Sequence, residues 1–435
     1  MGRTTRICLL GIVAPLACDS DPRVPTVAVR DSAGIEIVDN LGMVWQPGEE
    51  WRLPAEPALE IGSVMGDPDY EFGSAHGPVR LHDGRIVVAD MQADIMRFYD
   101  AEGRFLMSAG GSGEGPGEFT QLYRLRKISD DSLMALNPTS LTSIFTSAGE
   151  YVRRFQLDFV PGRGNLWWLG RLNDNTLVAF SLQREGTVEL RVPSEPAPAG
   201  TEYARFDVPD RSPIYRDTLL YLLFDMEGAL IDSFAKLPGQ FMGSNRVLAP
   251  NAAYAFHENA FFHSPGNVVE IRTFRSLVGR SQTGAPEAPR EVMRLERIVR
   301  RVPPRDLAVT EAMKDAYVES QRVLYTRLVE RTGRSLAEAK QLLRMTLQFP
   351  ERIPEHGNRM WADALGNLWL QEYAFDPAEA TRWSVFDVEG RWLGIVDMPA
   401  GFTVNEIGAD YVLGIARDSL DVQYVRMYRL EKPRA

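Results

Sequence analysis

The sequence predicts an all-β chain, a six-bladed β-propeller closed by pairing of its N- and C-terminal strands in one blade, with a helical insertion between blades four and five. Three observations carry this reading. The stretch from Val79 to Phe119, VRLHDGRIVVADMQADIMRFYDAEGRFLMSAGGSGEGPGEF, reads as one complete four-stranded unit. Its two hairpins recur along the chain. Its glycine-rich corner, Gly110 to Phe119, has an earlier copy over Gly62 to Gly73. A supersecondary unit that repeats along the chain is the signature of a radial repeat fold, whose function sits where the blades converge.

In the first unit, Val79–Leu81 leads into a turn at His82-Asp83-Gly84, and Arg85–Asp90 forms a buried strand. Ile95–Tyr99 is the third strand, and a turn over Asp100–Gly103 opens the fourth, Arg104–Ala109. Short apolar runs bounded by Asp-Gly and Glu-Gly turns make a hairpin meander. The first hairpin recurs at Leu125–Asn137, Leu169–Ser181, Tyr254–Ser264, Trp361–Glu372 and Val404–Arg417. The second recurs at Ile144–Phe155, Leu220–Leu237, Val268–Gly279 and Trp383–Val396. The last unit, Phe402 to Leu430, has three strands. The orphan run Leu59–Ile61 supplies the fourth, which leaves no free sheet edge.

Two insertions interrupt the repeat. Leu182–Thr218 contains a Pro- and Ala-rich loop and room for an extra strand pair. The larger, about residues 286–354, reads as helical. Arg290–Arg301 is expected as one helix, stopped by Pro303-Pro304. Thr310 caps a second over Glu311–Thr332, with Gly333 as its stop, and Ser335 with Glu338 forms a capping box for a third. This block falls on the face where propellers hold ligands. It is expected either as a lid or partner platform over the channel, or as a helical hairpin packed on the rim. Arg290, Arg294, Arg297 and Arg301 would share one helical face and could meet anionic lipid.

Composition bounds the partners. The formal net charge of −11 argues against general nucleic-acid binding, which needs a basic footprint. Only five of the 48 Lys and Arg residues are lysine. Arg3 and Arg6 followed by the apolar run Ile7–Leu16 form a leader too short to span a bilayer. The leader ends Ala17-Cys18-Asp19 and resembles a bacterial lipoprotein signal. Residues 1–17 would be removed, Cys18 would be lipidated, residues 18–34 would be a tether, and residues 35–435 the propeller. The other cysteine, Cys8, lies in the leader, so the propeller holds no disulfide or thiolate site.

The motifs DGRIVVAD (Asp83–Asp90), FYDAEGRFL (Phe98–Leu106) and GEGPGEF (Gly113–Phe119) resemble the NHL-like six-bladed propellers, in particular their bacterial lipoprotein branch. The resemblance spans Leu59 to about Leu430, with the helical block as an insert. It implies an exported protein, lipid-anchored in the cell envelope and facing the periplasm or cell surface. Relatives with this fold include binding scaffolds, lactonases and a zinc-dependent amidating lyase, so the resemblance implies fold more firmly than function.

Two sets of loops should reach one mouth of the channel. Those entering each first strand offer His76, Tyr123, Arg124, Trp167, Trp168, Asn245, Arg246, His356, Asn358, Arg359 and Asn405. Those leaving each second strand offer Asp90, Asn137, Ser181, His263, Glu372, Tyr373 and Asp418. His82 and His257 fall in turns on the opposite face. His76, His263 and His356 could together hold zinc with an open position for water. The acidic set with Asn137 and Asn358 could bind calcium, as gluconolactonase-like propellers do. The expectation is nonetheless a protein without a resident cofactor, and with Asp90 in a structural role. Its function is expected to be an envelope scaffold that binds a peptide, glycan or protein partner at the channel mouth, rather than an enzyme. The membrane is met through the lipid anchor only. The alternative is a metal-dependent lyase or lactonase.

Overall fold

Alternating apolar strands joined by tight turns fold into six antiparallel sheets of four strands each, one of them extended by two further strands. The computed structural model describes residues 26–129, 131–137, 141–158, 166–183, 215–242, 248, 250–278, 292–304, 306–347, 349–374 and 380–433. The leader, Cys18, Asn245, Arg246, Arg290 and the centre of the Leu182–Thr218 insertion lie outside the described residues.

Blade one is Ala75–Arg80, Ile86–Asp90, Ile95–Tyr99 and Phe105–Gly110. Blade two runs from Arg124–Ser129 to Tyr151–Gln156, and blade three from Leu166–Arg171 to Leu230–Met242. Blade five runs from His356–Ala362 to Trp392–Met398. Blade six is Phe402–Ile407, Tyr411–Arg417 and Gln423–Arg429, with Leu59–Ile61 antiparallel to the last of these.

The repeat has a visible local cause. In the sequence Asp-x-x-Gly, the aspartate side chain accepts backbone N–H groups two and four residues on. Asp100 receives Glu102 and Arg104, and Asp387 receives Glu389 and Arg391. The glycine closes the turn in the left-handed region, at φ +82° for Gly103 and +83° for Gly390. An L side chain is disfavoured there, which is why the turn recurs as Asp-x-x-Gly.

Each pair of adjacent blades buries its own apolar cluster, and together the clusters complete the ring. Val87, Phe98, Leu125 and Phe145 join blades one and two. Trp369, Trp383, Val404 and Tyr428 join five and six. Ile61, Val88, Tyr99 and Leu413 join six and one.

Blade four departs from the sequence reading. Its strands are Ala253–His257, Ala260–Ser264, Glu270–Ser276 and Met293–Arg301. The segment expected as the first inserted helix is therefore a strand. Its apolar residues satisfy both a helical and an alternating pattern. Pairing on both edges decides between them, antiparallel to Glu270–Ser276 and parallel to Ile35–Asn40. The basic helical face dissolves with it. Arg297 pairs with Glu36, Arg300 with Glu270, and Arg301 with Glu372.

Part of the stretch assigned to the tether is structured. Val27–Ser32 pairs with Ile35–Asn40 as the outer hairpin of blade four. The chain then crosses the rim. Asn40 is buried, donates to Arg300 O and Gly390 O, and accepts from Trp392 N. The backbone N–H groups of Val44 and Trp45 donate to Trp392 O and Leu393 O in blade five. Trp45 stacks near Trp51, and Trp51 near Trp369, at 5.2 and 5.7 Å between centroids. Arg52 and Glu431 exchange backbone hydrogen bonds at blade six. One strap thus spans blades four, five and six.

The insertion holds α1 (Glu311–Ser320), α2 (Arg322–Thr332) and α3 (Leu336–Thr346). The single helix expected over 311–332 is broken at Gln321. Ser320 donates its hydroxyl to Tyr317 O, one turn back, a contact that bends helices. Thr310 and the Ser335–Glu338 capping box start α1 and α3 as read from sequence. Among the described residues no helix is long and apolar enough to cross a membrane.

Candidate functional site

The first strand of every blade lies innermost, and the six together bound one cavity of about 700 Å3. Residues 75–79, 124–128, 168–171, 254–256, 358–362 and 403–407 contribute. This is the central channel. A second cavity of about 460 Å3 opens between blades five and six. The two share Asn358, Arg359, Thr403, Val404 and Arg417.

The channel is basic although the chain is acidic. Its lining includes Arg124, Arg126, Lys127, Arg171, Arg359 and Arg417 against one carboxylate, Glu406. Glu406 already accepts from the Arg80 backbone N–H and the Tyr411 hydroxyl. Among the described residues, none of Arg124, Arg126 and Arg359 forms an ion pair with a carboxylate. Burial, and then repulsion from Arg124, pushes the Arg126 guanidinium down to about 10. The same two causes lower Arg359. Burial, Arg124 and Arg417 together lower His76.

Arg126 also shapes the channel. Blades two and five stand opposite each other in a six-membered ring, and the Arg126 guanidinium from blade two lies over the Trp361 ring from blade five at 5.1 Å. This cation–π contact crosses the channel. It narrows the channel partway along, and the mouth side forms a cup. His76, Tyr123, Arg124, Trp168, Asn358, Arg359 and Arg417 form its wall. Tyr123 is 40% exposed, lies 6.2 Å from the His76 ring, and has the Arg124 guanidinium over its face at 5.5 Å. The indole N–H groups of Trp168 and Trp361 and the amide oxygen of Asn405 are buried without a hydrogen-bond partner among the described residues.

The remaining sequence candidates are held elsewhere. Asp90 is buried, pairs with Arg97 at 3.0 Å, and accepts the backbone N–H groups of Gly73, Ser74 and Gln92. Asn137 and Asp418 close turns through Leu141 N–H, and through Leu420 and Val422 N–H. His263 is buried and its Nε2 donates to Pro238 O. His356 is buried too. Its Nε2 accepts from Gly266 N–H at 3.0 Å and meets the Ser264 hydroxyl at 2.7 Å, and its Nδ1 faces Gly357 O at 2.5 Å. Both ring nitrogens are thus committed to the blade four–five junction.

Glu372 borders the smaller cavity, yet its oxygens are taken by Arg301 and the Ser384 hydroxyl at 2.6–2.9 Å. Tyr373 lines the same cavity and packs with Met313 and Tyr317 of α1, so the inserted helices stand beside this opening. Burial, with a smaller contribution from Tyr317, raises the Tyr373 phenol to about 12. Among the described residues no group of three or more His, Cys, Asp or Glu is arranged to hold a metal ion. His76, His263 and His356 do not form one.

Sequence reasoning missed Arg126, Trp361, Arg171 and Arg417. The signal for the first two was present: a strand presents every second residue to one face, so a step of two from Arg124 and Arg359 reaches them.

Six sheets around one basic cup define the protein as a six-bladed β-propeller. Among solved structures it is similar to a member of the DUF4221 family from Bacteroides vulgatus, at 10% identity and TM-score 0.45, covering 89% of this chain and 99% of that one. It is similar to a gluconolactonase from Xanthomonas campestris, at 13% identity and TM-score 0.38, covering 89% and 99%. It is also similar to the calcium-binding protein regucalcin from Agrobacterium tumefaciens, at 11% identity and TM-score 0.38, covering 86% and 95%. At these identities and overlaps the likenesses carry no argument about activity. No protein-family model matches the chain, and a search of curated proteins finds no match either.

Proposed function

We propose that the protein is a binding scaffold of the bacterial cell envelope, of the NHL-like propeller type, held to a membrane through lipidated Cys18. It presents the channel cup to a peptide, glycan or protein partner. The observation that carries this reading is the channel itself, an open volume of about 700 Å3 in which Arg124, Arg126 and Arg359 form no ion pair with a carboxylate among the described residues. Charges left unpaired within a fold are disfavoured unless something else meets them. A concave pocket with a few convergent polar groups is the usual form of a ligand site.

The lack of cysteine in the propeller allows a direct test. Asn358 is exposed and borders both cavities. The Asn358→Cys protein, coupled to a bulky maleimide, has an obstructed cup. Immobilised unmodified protein should retain components of an envelope extract that the blocked protein releases. Equal retention by both would place binding outside the channel and overturn the reading.

A further inference from the structure

We propose, on the reading that the channel is the binding site, that its ligand is an acidic saccharide whose carboxylate is held by Arg124, Arg126 and Arg359. Arg124 and Arg359 stand on opposite sides of the mouth, in blades two and five, and Arg126 lies one step further along the same inner strand as Arg124. All three line one volume and none forms an ion pair among the described residues; the one carboxylate in that lining, Glu406, is held by the Arg80 backbone N–H and the Tyr411 hydroxyl. Guanidinium binds carboxylate in a planar, charge-assisted pair, a geometry an ammonium does not reproduce.

The rest of the wall selects among anions. A bare anion would fill a small part of about 700 Å3. Tyr123, 40% exposed, and Trp168 add aromatic surface to the wall, which suits a ring that is apolar on its faces and hydroxylated at its rim. The adjoining cavity adds the neutral donors and acceptors Asn251, Gln371 and Thr381, the carboxylate Glu372 already held by Arg301 and Ser384, and no Arg or Lys beyond the shared Arg359 and Arg417. Charge is thus concentrated in the cup and neutral hydrogen bonding lies beside it. A carboxylated sugar unit in the cup, continued by hydroxyl-rich units toward blades five and six, matches that division. An acidic peptide would carry charge on into the adjoining cavity, which offers no Arg or Lys of its own.

The test is calorimetric titration of the full chain in detergent with trimers of galacturonate and glucuronate, their carboxyl-reduced counterparts, and citrate. A uronate trimer should bind, and its neutral counterpart should bind about tenfold more weakly or worse, as loss of a charge-assisted hydrogen bond implies. Arg359→Ala and Arg124→Ala should each weaken uronate binding by about tenfold or more. Arg359→Lys, which keeps the charge and loses the fork, should fall between, and melting curves establish that each variant is folded. Affinity should drop as salt is added. Equal affinity for charged and neutral trimers, or unchanged affinity in the arginine variants, would overturn the proposal. Binding of citrate without either saccharide, or of nothing at all, would overturn the saccharide and leave the channel reading to the retention assay. Uronate binding that survives the blocked Asn358→Cys cup would overturn both.

Discussion

His76 lies in the cup wall, half-buried, with its charge disfavoured by burial and by the neighbouring Arg124 and Arg417. Its folded pKa therefore lies below the ordinary 6.5. Above about pH 6.5 the ring is neutral in both states and the fold loses nothing. As pH falls below that value the unfolded chain takes up the proton first, and native stability declines until the folded pKa is passed. We expect His76→Asn to reduce the fall in Tm between about pH 7 and pH 5, as read by thermal melting across that range. An identical pH profile in the variant would show that other groups control it. The same residue marks how much of the site was legible in the sequence. The repeat alignment placed His76, Tyr123, Arg124, Trp168, Asn358 and Arg359 at one mouth, and all six line the channel. It placed Asp90, His356 and Glu372 beside them because a polar residue at a strand end reads alike whether it meets solvent or the next blade. Their partners Arg97, Gly266 and Arg301 are set by tertiary contacts that no local pattern encodes.

At the level of single elements, the strand Met293–Arg301 shows the converse. Its arginines spaced by three and four residues imitated a helix, and only its neighbours on both edges fix it as sheet. The consequence is energetic. The Arg301 side chain has no solvent exposure, lies over Trp392 at 4.8 Å, and bridges blade four to Glu372 and Ser384 of blade five. Removing one partner of a buried pair leaves the other charge uncompensated, so Arg301→Leu should cost about 3–5 kcal/mol. Glu372→Leu added to it should recover much of that loss, since an apolar pair avoids the desolvation of both ions. Denaturant titration of both singles and the double variant measures the cycle. Additive losses would show that the two residues do not act as a pair. By contrast the caps of α1 and α3 were plain in the sequence, because a cap is a contact between residues three apart.

For the whole molecule, six interblade clusters hold the ring, and one short strand, Leu59–Ile61, completes its last blade. The repeat made the blade number legible. The strap upstream of that strand was not, since it follows no repeat and is defined by the blades it crosses. A chain lacking residues 1–61 keeps four strands in each of the other five blades but exposes the edges of Gln423–Arg429 and Met293–Arg301 and frees the rim of blades four to six. Open edges pair with other edges. Size-exclusion chromatography should therefore show self-association of this truncation, and its Tm should fall. A monomer melting with the full chain would mean that the strap is dispensable to closure.

The strap also sets an order of events. Glu60 pairs with Arg426 across 366 positions, and Arg52 meets Glu431 near the last described residues. Contacts this distant in sequence form late, since the long intervening loop has to be closed first. During synthesis the opening residues emerge long before the strands that will receive them. The clasp stays undone until nearly the whole polypeptide has been made, and a ring that sets only at its final step is one that can be threaded through a narrow pore before it sets.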